Sequence, residues 1–205
     1  MQKITKPCPK CGRDCRAEGI CLTCKANMPQ FTQGVSAFSY KGELAGLVNR
    51  MKNGNVRLAA YLGESMADAV LPLLKENAEE EILIIPVPLT ERRKRERGYN
   101  QAERLSEAIL WRLQDKGIEA RLDAELLQKR RETELQKQKS AKERAENAKG
   151  AYHVHKRKAC EGKTIVLVDD ILTTGATGSE CARLLLFAKA KRVIFLVSAS
   201  VEERK

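Results

Sequence analysis

One stretch of the sequence joins an apolar run to two adjacent acids and a small loop. Residues 164–168 (TIVLV) read as a buried β-strand, Asp169 and Asp170 follow it, and a loop of hydroxyls and glycine leads into a segment of helical periodicity. A helix that begins directly after a strand and a short loop presents free backbone N–H groups and the positive end of its dipole. This unit therefore predicts an α/β protein with a phosphate-binding loop beyond the carboxyl end of a strand.

The two carboxylates would repel a phosphate, so we expect them to face another part of the same ligand. Carboxylates accept hydrogen bonds from ribose hydroxyls, and they also bind Mg²⁺. An ordinary turn with a helix cap explains one acid or one threonine, but it does not explain the whole run DDILTTGAT. A Walker A loop is excluded because its GxxxxGK[ST] pattern is missing. The run therefore predicts a site for a phosphorylated sugar.

The rest of the chain alternates between strand-like and helix-like segments, which predicts a mostly parallel α/β sheet. We expect strands within residues 34–42, 81–89, 118–122, 151–154, 164–168 and 192–199. We expect helices at residues 43–52, 58–71, 100–116 and 176–190. Residues 129–149 are highly charged without a continuous apolar stripe, so we interpret them as a mobile loop followed by a surface helix.

Five of the seven cysteines fall within the first 24 residues. Cys8, Cys11, Cys21 and Cys24 form two CxxC knuckles separated by nine residues, and Cys15 lies between them. This spacing favours a four-thiolate Zn²⁺ site, which leaves no open coordination position and is therefore structural. Two disulfides are the alternative, and a reducing cytosol disfavours them. We predict a zinc-binding segment over residues 1–30 and a second domain over residues 31–205.

Charge and hydropathy limit the classes of partner. The chain has 38 basic and 27 acidic residues, a net charge of +11, and the basic residues cluster at residues 92–97 and 129–131. This clustering favours an anionic partner, either nucleic acid or a phosphorylated small molecule. No apolar run approaches the length of a membrane span, and the N-terminus lacks the apolar core of a secretory signal, so we expect a cytoplasmic protein.

The motifs also resemble a known family. The run IVLVDDILTTGAT is similar to the phosphoribosyl-pyrophosphate (PRPP) signature of type I phosphoribosyltransferases. Together with PVPLTERRKRERGYNQAERL, RRETELQ, ERAENAKGAY and the cysteine knuckles, it resembles the ComF family, whose members are linked to DNA uptake in natural transformation. The resemblance spans nearly the whole chain. It implies a type I phosphoribosyltransferase-like parallel sheet flanked by helices, with a small N-terminal zinc-binding appendage.

The resemblance also implies roles for individual residues. Asp169 and Asp170 would hold the ribose 2′- and 3′-hydroxyls of PRPP, with Mg²⁺ bound beside them. The loop that would wrap the 5′-phosphate consists of Thr173, Thr174, Gly175, Ala176 and Thr177. The loop that would contact pyrophosphate consists of Val87, Pro88 and Leu89.

Two further groups complete the site that the resemblance implies. The residues of the basic motif that would contact the anion are Arg92, Arg95, Arg97, Asn100 and Gln101, with Gly98 among them. Arg130, Thr133 and Gln136 fall in the segment similar to the family's flexible active-site loop. Arginines and Mg²⁺ can neutralise a departing pyrophosphate, and a closing loop can exclude water.

These features leave two functions open. The first is an enzyme, in which a nitrogen nucleophile displaces pyrophosphate from the ribose C1; the sequence indicates neither the acceptor nor an acid–base catalyst. The second is a non-enzymatic adaptor that binds single-stranded DNA or competence proteins such as a DNA-uptake helicase and keeps the phosphate pocket as a sensor or relic. The low aromatic content, 4%, argues against DNA binding by base stacking. The absence of saturable PRPP binding would exclude the enzyme.

Overall fold

The computed structural model describes residues 2–15, 17–76, 80–130, 148 and 150–202. Its strands are β1 (Gln33–Ser39), β2 (Ile82–Pro86), β3 (Ala120–Leu122), β4 (Leu127–Lys129), β5 (Tyr152–Val154), β6 (Thr164–Leu172) and β7 (Arg192–Ser200). Its helices are α1 (Leu22–Ala26), α2 (Glu43–Lys52), α3 (Arg57–Lys75), α4 (Glu91–Arg97), α5 (Gln101–Asp115) and α6 (Ala176–Phe187), with a 3₁₀ turn at Arg157–Cys160.

Five strands form a single parallel sheet in the order β1–β7–β6–β2–β3. β6 lies at its centre, and residues 164–168 of that strand are buried, as are all five residues of β2. Helices cover both faces of such a sheet, which is why these strands read as continuous apolar runs. The predicted parallel α/β class is confirmed.

The two faces of the sheet carry separate apolar layers. Val166 and Val168 of β6 pack in one layer with α2, α3 and α5, while Ile165 and Leu167 pack in the other with α6, the β4–β5 hairpin and the five N-terminal cysteines. This division follows from the alternation of side chains along a strand. The N-terminal segment therefore lies against the same face of the sheet as α6.

The predicted element boundaries differ from the observed ones at two places that matter for the site. β6 continues to Leu172 instead of ending at Val168, because its ladder to β7 continues after β2 has ended at Pro86. α6 ends at Phe187, earlier than the predicted residue 190, because Lys189 adopts a left-handed conformation (φ 66°) and turns the chain toward β7.

The predicted division of the chain near residue 30 stays a prediction, and so does the predicted mobile loop and surface helix of residues 129–149. The charged segment 129–149 lies almost entirely outside the described residues, apart from its first two residues and Ala148. In the part of the chain that the structure describes, no helix has the length and apolar content needed to cross a bilayer.

Candidate functional site

The acid pair, Asp169 and Asp170, lies near the carboxyl end of β6. Pro86, the last residue of β2, pairs with Val168, so both acids lie beyond the end of the neighbouring strand. Asp170 forms an ion pair with Lys52 at the end of α2, with 2.8 Å between the carboxylate and Nζ. Asp169 is on the strand face that carries Ile165 and Leu167, the face of α6 and the β4–β5 hairpin. The pair therefore presents one acid to each side of the sheet.

Their surroundings also differ electrostatically. Burial raises the pKa of Asp169 to about 7, and the adjacent charge of Asp170 adds to this shift. Three groups oppose this rise in part: a hydrogen bond from the backbone N–H of Asp170, the positive charge of Lys52 and the positive charge of Lys129 on β4. Asp169 therefore changes its charge near neutral pH, while Asp170 is held beside a cation. Lys52 was not predicted as a site residue, because its neighbours in the sequence show only that it lies at the end of a helix.

The phosphate loop, residues 173–177, leads from β6 into α6. Gly175 is the N-cap residue of this helix and has no side chain with which to cap its first amides. The N–H of Ala176 donates to Thr174 Oγ1 (3.4 Å), and the N–H of Ser179 makes the first bond of the helix to Gly175 (2.8 Å). The N-terminus of α6 therefore points to the edge of the sheet at which the acid pair lies, as an anion site requires.

Residues 87–89, which we call the pyrophosphate loop after the role that the resemblance implies, lie directly beside the acid pair. The N–H of Val87 donates to the carbonyl of Val168 (2.8 Å), the residue before Asp169. Asn100 fixes the other side of this loop, because its Nδ2 donates to the Val87 carbonyl (3.1 Å) while its Oδ1 accepts from the N–H of Ala102 at the start of α5 (3.1 Å). The adjacent ends of β2 and β6 thus bring together the loops 87–89 and 173–177, which are about 85 residues apart in the sequence.

The four knuckle cysteines come together as predicted. All four are buried, and the Sγ atoms of Cys8, Cys11, Cys21 and Cys24 lie within 4.8 Å of one another. The Sγ atoms of Cys11 and Cys21 are 3.7 Å apart, close to the roughly 3.8 Å expected between sulfurs of a tetrahedral zinc–thiolate centre with bonds of about 2.3 Å. A hydrogen bond from Cys24 lowers the pKa of Cys11 to about 5. This donor set is compatible with a structural zinc ion.

Comparison with known proteins identifies the family. The family model "Phosphoribosyl transferase domain" matches residues 102–205, half of the chain. The chain is 30% identical over 182 residues to the DNA utilization protein YhgH of Escherichia coli O6:H1, covering 87% of this chain and 77% of that protein. It is 27% identical over 194 residues to competence protein ComFC of Bacillus subtilis, covering 91% and 74%. It is 31% identical over 195 residues to competence protein F of Haemophilus influenzae, covering 90% and 81%.

The chain belongs to the ComF family. The resemblance expected from the sequence is therefore confirmed, and the chain is a phosphoribosyltransferase-like protein of a family associated with competence. The matched residues contain the acid pair, the phosphate loop and α6, so the family assignment and the site share the same part of the fold.

The basic motif of this ComF-family protein divides into an exposed and a buried part. Arg92 and Arg95 on α4 are exposed, Arg97 is half-buried, and Arg92 pairs with Glu96 on the same helix (3.4 Å). Asn100 and Gln101 are buried, with 2% and 3% of their surface exposed. Asn100 thus holds residues 87–89 in place, while Arg92 and Arg95 of α4 are exposed at the surface.

The segment that resembles the ComF flexible loop is only partly described. Arg130 extends the β4–β5 hairpin, since its N–H donates to the carbonyl of Ala151 (2.9 Å). Thr133 and Gln136 lie outside the described residues. On the hairpin itself, Lys129 Nζ lies 5.2 Å from the centre of the Tyr152 ring, and its charge limits the rise in the pKa of Asp169.

Proposed function

We propose that this protein binds PRPP together with Mg²⁺ at the carboxyl edge of its sheet. The observation that carries the proposal is that the acid pair, the phosphate loop at the start of α6 and the pyrophosphate loop after β2 share that edge. One charged sugar with a phosphate at each end would match these three features. A helix N-terminus alone, or an acid alone, would fit many other ligands; the three features together at one edge of the sheet are what favours PRPP.

Each element has a distinct role in this proposal. Asp169 and Asp170 accept hydrogen bonds from the ribose hydroxyls, and their carboxylate oxygens are the donors that Mg²⁺ prefers. Bound Mg²⁺ would neutralise charge on the pyrophosphate. The N–H groups at the start of α6 hold the 5′-phosphate, and the arginines of α4 attract the pyrophosphate end. When a nitrogen nucleophile attacks the ribose C1, the C1–O bond breaks and pyrophosphate leaves with the bonding electrons.

Titration of PRPP with Mg²⁺ by calorimetry tests the proposal. We expect saturable binding to the wild type and a loss of at least about tenfold in affinity for the double variant Asp169→Asn/Asp170→Asn, because each carboxylate bonds a charged or polar group. The control is Asp68→Asn/Asp115→Asn, which makes the same change in net charge at exposed acids of α3 and α5. Wild type without saturable binding would refute the proposal.

The cysteine cluster supports a second part of the proposal, that one structural Zn²⁺ is bound by Cys8, Cys11, Cys21 and Cys24. The four buried sulfurs fit a closed tetrahedral centre. Reduced thiols with this spacing also support our expectation of a cytoplasmic location. Elemental analysis should give one zinc per chain, and protein purified without zinc but with its fold intact would contradict this.

The alternative function is an adaptor that binds single-stranded DNA or competence proteins such as a DNA-uptake helicase. It is supported by the net charge of +11, by the exposed arginines on α4 and by the relatives named for competence and DNA utilization. Binding of an oligothymidylate probe should then weaken steeply as salt rises, because phosphate contacts release counterions. An adaptor without enzyme function predicts this binding with no pyrophosphate release from PRPP; pyrophosphate release with an acceptor supports the enzyme.

A further inference from the structure

Arg13 is a buried arginine that lies between the two cysteine knuckles and has no role in the proposed PRPP site. Only 3% of its surface is exposed. Its Nη2 donates to the carbonyl of Thr173 (2.5 Å), the first residue of the phosphate loop, and its Nη1 donates to the carbonyl of Glu202 (3.3 Å). Among the described residues, no Asp or Glu side chain pairs with it, and its Nε has no hydrogen-bond partner.

A buried cation without a carboxylate partner is costly unless other negative charge lies close to it. With Zn²⁺ bound, the cysteine cluster would supply that charge, because four thiolates around one Zn²⁺ carry a net charge of about −2. The backbone of Arg13 belongs to this cluster: its carbonyl accepts from the N–H of Cys8 (2.8 Å) and from Cys15 Sγ (3.4 Å).

The phosphate loop packs directly against this cluster. A small gap of about 10 Å³ is lined by Cys11, Cys24 and Arg13 of the cysteine segment and by Leu172, Thr174 and Gly175 at the phosphate loop. Such a gap is at the lower limit of the space that one water needs. The cysteine segment and the phosphate loop therefore line the same small gap, and the Arg13–Thr173 hydrogen bond joins them.

Two glycines hold the first knuckle tightly against the sheet. A Cβ on Gly34 of β1 would lie 2.5 Å from the carbonyl oxygen of Cys11, and a Cβ on Gly12 would lie 2.5 Å from that of Gly34. The N–H of Gly34 also donates to the carbonyl of Lys10 (2.8 Å). The backbone next to Arg13 is therefore held against β1, and the Arg13 side chain extends from it to the phosphate loop.

We propose that Arg13 is a positioning residue that couples the metal centre to the phosphate loop, by holding the Thr173 carbonyl and by placing a positive charge between the thiolates and the bound phosphate. The second role rests on the proposed function, since a phosphate dianion would otherwise face an anionic zinc–thiolate centre. The first role does not depend on any ligand.

The variants Arg13→Gln and Arg13→Lys separate these two roles in the zinc-loaded full chain. Glutamine removes the charge, whereas lysine keeps the charge but cannot reach both carbonyls with a planar fork. We expect the amides of residues 174–177 to exchange about tenfold faster with deuterium in R13Q than in the wild type. We also expect the Kd for ribose 5-phosphate to rise about tenfold in R13Q and to stay within about threefold of the wild type in R13K.

Zinc content is measured for each variant, and Arg57→Gln on the exposed start of α3 is the control with the same loss of charge. R13Q that keeps its zinc and exchanges like the wild type would overturn the proposal. If R13Q loses zinc, R13K is compared with the wild type instead. Because a lysine cannot bond both carbonyls, the same amides should also exchange faster in R13K, and wild-type exchange in R13K would overturn the proposal. R13K that binds ribose 5-phosphate as weakly as R13Q would overturn the charge role. A wild type that binds neither ribose 5-phosphate nor PRPP contradicts the proposed function, while amide exchange still decides the coupling.

Discussion

Asp169 and Asp170 are neighbours in the sequence with different chemical environments. Asp170 lies on the α2 side of the sheet and pairs with Lys52 at 2.8 Å. Asp169 lies on the α6 side, where burial and the neighbouring acid raise its pKa to about 7. A ligand that needs two carboxylates would thus meet one that is ion-paired and one whose protonation changes near neutral pH.

The raised pKa of Asp169 predicts a pH-dependent stability. Between its ordinary pKa of 3.8 and about 7, the folded state holds more protons than the unfolded state, so the stability of the wild type falls as pH rises through this window. The difference in unfolding free energy between Asp169→Asn and the wild type should therefore shift in favour of the variant by about 1–2 kcal/mol when the pH rises from about 5 to about 8. This value is reduced for the partial exposure of the carboxyl group. Urea unfolding at both pH values measures this gain.

The control for this prediction is Asp115→Asn at the exposed end of α5. Its stability difference from the wild type should stay nearly constant between the two pH values. A difference for Asp169→Asn that is equally constant would contradict the raised pKa.

At the scale of the elements, the close contact of α6 with β7 sets the position of the phosphate loop. Gly178 lies in the first turns of α6, directly over the ring of Phe195. This ring also packs against Phe31, with 5.2 Å between the ring centroids. The N-terminus of α6 can lie this close to the sheet because residue 178 has no side chain.

Glycine substitutions in two helices should therefore have opposite effects. A Cβ at residue 178 would lie 2.6 Å from the Phe195 ring, so Gly178→Ala should lower the free energy of unfolding by about 1–3 kcal/mol. No atom would lie within 4 Å of a Cβ at residue 46 of α2, so Gly46→Ala should raise it by about 0.5–1 kcal/mol. Urea unfolding compares both with the wild type, and a stabilised Gly178→Ala protein would disprove this packing.

At the scale of the whole molecule, the cysteine segment and the sheet share one buried apolar cluster. Cys8, Cys11 and Cys24 are in the same cluster as Leu167 of β6 and Phe195 of β7. A metal bound by these cysteines would therefore stabilise the sheet as well as its own segment.

Loss of the metal should accordingly destabilise the entire fold. We expect Cys24→Ser to bind less than one zinc per chain and to lose at least about 3 kcal/mol of unfolding free energy, since a structural zinc site contributes directly to folding. Cys15→Ser is the matched control, because Cys15 is buried in the same segment but lies outside the set of four. Zinc content and thermal unfolding test both variants, and a Cys24→Ser protein as stable as Cys15→Ser would contradict the prediction.

Much of the fold and part of the candidate site could be predicted from the sequence because they depend on local spacing. The alternation of periodicities predicted the parallel α/β class, and the CxxC spacing predicted which four thiols converge. The order of apolar run, acids and hydroxyl loop predicted a strand at residues 164–168 and a helix at residues 176–190, which the structure has at Thr164–Leu172 and Ala176–Phe187. Each of these patterns lies within a few tens of residues, where the geometry of the chain limits the alternatives.

Only the tertiary structure decided the strand order and the contacts between distant segments. Lys52 meets Asp170, and Arg13 meets Thr173 across 160 positions of the chain, because helices and knuckles pack on particular faces of the sheet. Asn100 and Gln101, which the basic motif suggested as anion contacts, are buried because α5 begins against the end of β2. Such contacts depend on how apolar faces pack against one another, and sequence periodicity shows which face is apolar but not which element will cover it.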